Sequence, residues 1–269
     1  MGLHFPGVAF VTGAGSGIGR ATALLFAKEG CRRIAIADLN KHALVKVQSE
    51  IESEHADIKV EVHHIDLTSE ESVDGAIKNV AKSFGRIDYA CNAAGVLMPG
   101  PTDSVTVESF DMQQRVNLRG TWLCQRAEIK QMLTQEPLKA DDSRFAARGS
   151  IANVASMLSF IAYDHLPAYT ASKHAILGFT RTDGLRYAKD LIRVNAICPG
   201  VIRTPLLGQL PEETEGTVDK QVSGMVSEMA IGRFGLPEEV AECLVWATCG
   251  RASLVTGSTL SPNGGMVGA

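Results

Sequence analysis

One stretch constrains this chain more than any other. Thr12, Gly13, Ala14, Gly15, Ser16, Gly17, Ile18 and Gly19 follow an apolar run at 7–11 and lead straight into a segment of helical period at 17–29. Glycine has no Cβ, so such a loop bends tightly and lets a ligand approach the backbone, while the helix that follows offers free N–H groups and a partial positive charge. Placed between strand and helix, it is a cradle for the pyrophosphate of a dinucleotide. A chain built around it needs a parallel sheet with helical crossovers.

The rest of the sequence supplies that alternation. Apolar or β-branched runs recur at 7–11, 33–37, 59–64, 87–91, 150–154, 193–197 and 254–260. Segments of helical period lie between the first six, for example 17–29, 41–54 and 70–84. The pattern predicts an α/β fold, a single-domain Rossmann-type doubly wound parallel sheet of about seven strands with helices on both faces. No linker or shift of composition divides residues 1–269, and a chain of 269 residues buries roughly 70–75% of its unfolded surface without needing disulfides or metals. Two stretches break the rhythm. Residues 134–148 are polar, with Pro137, and read as a surface excursion; 211–220 are strongly acidic and read as part of a substrate loop or lid over about 204–233.

Composition excludes several functions. The 26 basic and 30 acidic side chains give a net charge of −4, with no surplus to neutralise phosphates, so nucleic acid is not an expected partner. The six cysteines, Cys31, Cys91, Cys124, Cys198, Cys243 and Cys249, show no C-x-x-C pair and no metal-ligand spacing; they read as reduced core thiols, with no metal site. Nothing near Met1 resembles a signal peptide, and uncharged stretches such as 149–163 are too short to span a bilayer. A cytoplasmic protein without a membrane partner is the expectation.

Asp38 ends the second strand, 19 residues after Gly19. An acidic side chain about 20 residues past the last glycine accepts hydrogen bonds from the adenosine ribose and repels a 2′-phosphate, which favours NAD over NADP. The competing reading is that Arg20, Arg32 or Lys41 binds a phosphate and Asp38 is only a polar strand end. Asp66 and Leu67 close the third strand and could meet the adenine edge. Alternatively Asp66, with Thr68 and Ser69, caps the next helix.

Tyr169 and Lys173 are four residues apart in a segment of helical period, so they share a face. A free phenol has a pKa near 10, and an adjacent ammonium would stabilise phenolate. Ser156 lies 13 residues before Tyr169, just after an apolar strand, where open α/β sheets bind ligands. Its hydroxyl could donate to a substrate oxygen beside the phenol, with Ser159 as a nearby competitor. Asn117 and Gly120 are weak helix formers inside the helical stretch 104–132, a place where the backbone could open and hold a water, or merely kink.

Taken together these residues resemble the short-chain dehydrogenase/reductase family, in its subgroup of about 250 residues with TGxxxGxG and YxxxK. The likeness covers nearly the whole chain: Thr12 to Gly19, then Asn92, Ala93, Ala94 and Gly95 at the NNAG position, then Asn117, Ser156, Tyr169 with Lys173, and Pro199 and Gly200 followed by Thr204. The resemblance implies that Tyr169 is the general acid for carbonyl reduction and the base for alcohol oxidation, and that Ser156 polarises the substrate oxygen. It implies that Lys173 lowers the tyrosine pKa and holds the nicotinamide ribose, while Asn117 fixes a water in a proton relay. The implied cofactor contacts are Gly13, Ser16, Gly17, Ile18, Gly19, Asp38, Leu39, Asp66, Leu67, Asn92, Ala93, Gly95, Tyr169, Lys173, Pro199, Gly200, Val201, Ile202 and Thr204.

Two positions depart from the family pattern: Ala93 replaces the second Asn of NNAG, and Asn263, Gly264 and Gly265 stand where Asp-Gly-Gly is usual. The 134–148 excursion resembles filamentous-fungal members that serve secondary metabolism.

The expected pocket is apolar: Val96, Leu97 and Met98, then Met157, Leu158 and Phe160, then Leu206 and Leu207, with Tyr163 and His165 adding polar contacts. It suits a hydrophobic secondary alcohol or ketone. The alternative is an NAD-binding sensor or scaffold without turnover, against which the intact Asn-Ser-Tyr-Lys set argues. An epimerase or dehydratase would carry TGxxGxxG and a larger substrate domain, and an enoyl reductase would space its tyrosine and lysine more widely. Helices at 104–132 and 167–189 resemble those that pair copies into family homodimers and homotetramers.

Overall fold

The computed structural model describes residues 3–139, 145–208 and 220–266, without the side chains of 220–223. Its centre is β1 (Ala9–Thr12), flanked by β2 (Arg33–Asp38) and β3 (Lys59–His64) on one side. On the other side lie β4 (Tyr89–Asn92), β5 (Gly149–Val154), β6 (Ile192–Ile197) and β7 (Thr259–Leu260). The order is β3-β2-β1-β4-β5-β6-β7, and every pairing is parallel. Strand order reverses between β1 and β4, so the loops leaving their carboxyl ends diverge and open a crevice. Register aligns those ends: Thr12 is level with Ala37 and with Asn92, and Asn92 with Asn153.

Strands buried on both faces need apolar side chains in both directions, and two layers of core result. On one face α1 (Gly17–Lys28), α2 (Lys41–Glu54) and α8 (Pro237–Thr248) pack Phe26, Leu44, Val47, Val240 and Leu244 against Ala9 and Val11. On the other, α3 (Glu70–Phe84) and α5 (Thr121–Leu133) pack Val73, Ile77, Leu123 and Ala127 against Val8 and Phe10. Each fully buried side chain of this size contributes about 1.5–3 kcal/mol. Helix α6 (Pro167–Arg186) covers β6 through Ile176 and Leu177. Capping residues set the helix starts: Asn40 accepts from Ala43 N at 3.1 Å and Ser69 from Ser72 N at 3.2 Å.

The stretch 104–132 is not one regular helix. After α4 (Val107–Gln113) the chain widens into a π-helical turn over Gln114–Gly120 before α5 begins, at the spot marked by Asn117 and Gly120. Gly120 sits against Leu67, where an added Cβ would lie 2.7 Å from the Leu67 Cβ.

The 134–148 excursion leaves and returns through an antiparallel pairing of Leu138 with Ala147. Buried Gln135 ties its base to the sheet, accepting from Ile87 N at 2.8 Å and donating to Ile87 O and Arg148 O, each at 2.9 Å. Its tip, 140–144, and the acidic stretch 211–219 lie outside the described residues. Within the segment 204–233 the described chain begins again with α7 (Lys220–Ser227). Among the described residues the cysteines form no disulfide with one another, and no helix is long and apolar enough to cross a membrane.

The seventh strand is shorter than the run 254–260 predicts. Leu254 is 96% exposed, Gly257 adopts φ +64°, and only Thr259 and Leu260 pair with β6. Side chains bridge β6 to the preceding segment instead: Thr256 Oγ1 accepts from Val194 N of β6 at 3.2 Å, and Asn195 Nδ2 donates to Val255 O at 2.8 Å. The buried Arg193 guanidinium completes this corner. It donates to the carbonyls of Ala247 (2.7 Å), Val255 (3.0 Å), Thr248 (3.2 Å) and Cys249 (3.0 Å), and so satisfies the open end of α8. Burial lowers its pKa only to about 10, so it stays charged at neutral pH. Arg193→Met leaves these carbonyls buried without donors and is expected to cost about 3 kcal/mol, measured as a lowered midpoint in urea unfolding.

Candidate active site

The glycine-rich loop is shaped by close approach. Gly13 has φ +67°, and an added Cβ there would meet the Ala94 backbone at 2.7 Å; on Gly19 it would lie 2.2 Å from the Gly13 carbonyl oxygen. Ser16 precedes α1 without a side-chain cap, and the first turn, which includes Ile18, holds no acid, so its N–H groups are free for an anion. Such a cradle fits a dinucleotide pyrophosphate.

Asp38 closes one side of it. Its Oδ2 accepts from Gly15 N at 3.0 Å and its Oδ1 from Asn40 N at 2.8 Å, while Leu39 beside it is largely exposed. Of the cations that competed for a phosphate role, Arg20 pairs with Glu50 at 2.6 Å and Arg32 pairs with Asp57. Asp66 accepts from the Thr68 backbone and hydroxyl, both at 2.8 Å, which hold its carboxyl below the usual range. Ser69 alone caps α3, so Asp66 braces the strand end while Leu67 is buried against Gly120.

Tyr169 and Lys173 project from the first turns of α6, and Ser156 from the segment after β5. Ser156 has extended backbone, accepts from Leu158 N at 3.1 Å, and is the side chain near enough to the Tyr169 phenol to oppose the rise of its pKa. Ser159 instead donates to Lys173 O at 2.7 Å, a helix-bracing bond that takes it out of the competition with Ser156. Buried Lys173 donates from Nζ to Val154 O at 2.8 Å and stands 5.5 Å from the Tyr169 ring centre. Burial lowers its pKa to about 8, and the neighbouring Cys198 thiol pulls the other way.

Burial pushes the Tyr169 phenol up to about 12, with Ser156 the group that opposes the rise, while the Lys173 ammonium donates to the Val154 carbonyl.

Asn117, wholly buried in the π-helical turn, clasps the loop after β4. Its Oδ1 accepts from Val96 N and its Nδ2 donates to Val96 O, both at 2.8 Å, with Ser172 Oγ at 3.4 Å. A Cβ added to Gly95 would lie 3.3 Å from Asn117 Oδ1 and 3.9 Å from Lys173 Nζ, so Gly95 stands close to both side chains.

Gln113, which the sequence reading passed over, repeats the clasp one turn earlier, accepting from Met98 N at 3.2 Å and donating to Met98 O at 3.1 Å. The available signal was a second amide at i−4 from Asn117.

Asn92 closes β4 and bonds Asn153 of β5 at 3.1 Å, and Ala93 follows it half-buried. After β6, Pro199 O accepts from Met157 N at 2.8 Å, Gly200 packs on the Asn263 backbone and Thr204 packs beside Gly17. Both following side chains are buried, Val201 in the apolar cluster beside Tyr169 and Ile202 in the main core.

Over the tyrosine lies an apolar cluster of Met157, Leu158, Leu166, Val201, Met225 and Met229, joined by Leu97, Tyr163 and Leu207. Phe160 and Leu206 are exposed and stand outside it. Tyr163 Oη donates to Glu228 Oε2 at 2.7 Å, and His165 pairs with Asp164 at 2.9 Å. No metal-binding cluster occurs among the described residues.

The chain matches a family model described as enoyl-(acyl carrier protein) reductase over residues 13–267. It is 39% identical to the short-chain dehydrogenase srdC of Neurospora crassa, covering 98% of this chain and 97% of the relative. It is 34% identical to the 3-oxoacyl-[acyl-carrier-protein] reductase FabG of Thermotoga maritima, covering 97% of each. The crystal structure of levodione reductase superposes with a TM-score of 0.86 at 29% identity, covering 97% of this chain and 98% of the other. With a seven-stranded parallel sheet and full-length likeness of this kind, the chain belongs to the short-chain dehydrogenase/reductase family, NAD(P)-using oxidoreductases that act on CH–OH groups of small molecules.

Proposed function

We propose that this protein transfers a hydride between NAD(H) and an apolar secondary alcohol or ketone, with Tyr169 moving the proton. The observation that carries the proposal is buried Lys173 standing one helical turn from Tyr169, 5.5 Å from its ring centre, with Ser156 at the end of β5 facing the phenol.

The dinucleotide would be held by Gly13, Ser16, Gly17, Ile18 and Gly19 at its pyrophosphate and by Asp38 and Leu39 at the adenosine ribose. Asp66 and Leu67 would meet the adenine, and Asn92, Ala93 and Gly95 would form the floor beneath. Lys173 and Tyr169 would hold the nicotinamide ribose, with Pro199, Gly200, Val201, Ile202 and Thr204 at the nicotinamide end. Bound there, the nicotinamide supplies or accepts the hydride. Ser156 and Tyr169 orient the substrate oxygen from one side. Held at about 12, the phenol is protonated at neutral pH and can donate to a carbonyl oxygen.

The Asp38 carboxylate at the ribose position, with Arg20 and Arg32 already paired, supports NAD over NADP. The cluster of Met157, Leu158, Met225 and Met229 over the phenol supports an apolar substrate. Likeness to short-chain dehydrogenases of Aspergillus ruber and Penicillium roqueforti agrees with the fungal resemblance of the 134–148 excursion, from which a place in secondary metabolism is inferred. Exposed Trp122 on α5 and Leu185 on α6 fit pairing of copies into a dimer or tetramer, and cysteines without disulfides fit the cytosol.

Tyr169→Phe is expected to lower kcat for ketone reduction by at least about 100-fold while NADH still binds, read by fluorescence titration. Binding of NADH by the unaltered protein with no turnover across a broad carbonyl panel would instead favour a sensor or scaffold. Asp38→Asn removes the charge but keeps an acceptor; it is expected to shrink the preference for NADH over NADPH by about tenfold, measured as the ratio of kcat/KM values.

A further inference from the structure

Beneath the carboxyl ends of β4 and β5 a polar seam interrupts the core. Asn92, Asn153, Gln125, Glu128 and Thr180 are all buried there. Asn153 Nδ2 donates to Gln125 Oε1 at 2.5 Å and Thr180 Oγ1 at 2.9 Å, and Gln125 Nε2 donates to Asp183 Oδ2 at 2.6 Å. Asn92 Nδ2 donates to Asn153 Oδ1 at 3.1 Å and to Glu128 Oε2 at 3.0 Å. Two buried atoms of this seam have no partner, Asn92 Oδ1 and Glu128 Oε1, and they sit on side chains already bonded to each other. As a carboxylate Glu128 would bury a charge facing an acceptor, and such a group is expensive without a cation or a donor.

We propose that Glu128 is held as a carboxylic acid whose proton is shared with Asn92, making it a positioning residue for the strand ends that carry residues 93–96 and Ser156. One proton on Oε1 gives both orphaned oxygens a role and closes a two-bond ring between acid and amide. The Thr12 hydroxyl, level with Asn92 on β1, is also unpaired, but turning it to Asn92 Oδ1 would leave Glu128 Oε1 without a donor.

The titratable neighbours give the acid no relief. The Cys91 and Cys124 thiols are themselves pushed up by burial and by the nearby Glu128 charge, Thr248 from α8 bonds Cys91, and Asp183 closes the far end of the seam. No cation offsets it among the described residues, and burial raises the carboxyl to about 8 against the opposing bond from Asn92. Because the folded value lies above the unfolded one of 4.5, the stability this acid contributes is complete below about pH 4.5 and is lost as pH rises through about 8. That Asn92 positions a nucleotide loop rests on the proposed function; the protonation does not.

The test compares full-length wild type with Glu128→Gln, whose amide offers the same donor and acceptor but cannot ionise, and with Glu128→Leu. Infrared spectra at about pH 6 should show a buried carboxylic-acid band in wild type that Glu128→Gln lacks. The thermal midpoint of wild type should fall behind that of Glu128→Gln progressively between about pH 5 and pH 8, with Glu128→Leu below both at acid pH. The dissociation constant for NADH should rise severalfold more between about pH 7 and pH 9 in wild type than in Glu128→Gln, since the titration of Lys173 near 8 is common to both proteins. A missing band, or midpoint curves that run parallel, overturns the protonation. Both present with equal NADH curves overturns the positioning role. Failure of either protein to bind NADH counts against the nucleotide reading and leaves the infrared and thermal results to decide the protonation.

Discussion

The register of the central strands is the constraint on which everything else rests. Thr12, Asn92 and Asn153 stand level on adjacent strands, so the glycine loop, residues 93–96 and Ser156 all leave the sheet at one height. Because strand order reverses between β1 and β4, the first two loops part and leave room between them. A one-residue slip in a parallel strand would exchange its two faces and carry a catalytic group to the wrong side. The two packed layers of core are what forbid that slip, since Val11 and Phe10 point to different helices and neither tolerates the other's place.

Around this frame the polar groups are fixed by amide clasps more than by ion pairs. Asn117 and Gln113 each hold a loop residue by donating to its carbonyl and accepting from its N–H, which locks both position and orientation of the backbone. Charge enters sparingly: Lys173 spends one donor on the Val154 carbonyl, and Arg193 serves four carbonyls at the opposite end of β6. Each is a buried cation satisfied by backbone oxygen, which stabilises the charged form without any carboxylate partner.

Much of this was legible in the sequence, and the parts that were not have a common cause. The cradle, the strand alternation and the pairing of Tyr169 with Lys173 are local patterns, and local patterns survive folding. The opening at Asn117 and Gly120 was visible as poor helix formers, although its π-helical form follows from the contact of Gly120 with Leu67, 53 positions away in the chain. The short β7, the tyrosine held at about 12 and the role of Glu128 depend on tertiary neighbours alone. In the sequence Glu128 is one more acid in a helical segment; its burial is decided by α3 and by β4, which no window around it contains. Sequence position already favours Ser156 over its competitor Ser159, and the bond of the Ser159 hydroxyl to the Lys173 carbonyl sets the latter to a different task.

The brevity of β7 bears on how the protein survives at high concentration in a cell. A parallel sheet exposes unpaired backbone along its outermost strands, and long flat borders of that kind template association with other chains. Here one border is only Thr259 and Leu260, preceded by Gly257 at φ +64° and by Val255, whose carbonyl already accepts from Asn195 and Arg193, so an incoming strand finds little to extend. The opposite border, β3, carries Lys59 ion-paired to Glu61 at 2.9 Å, and a charged fringe of this sort discourages docking by the cost of stripping its water.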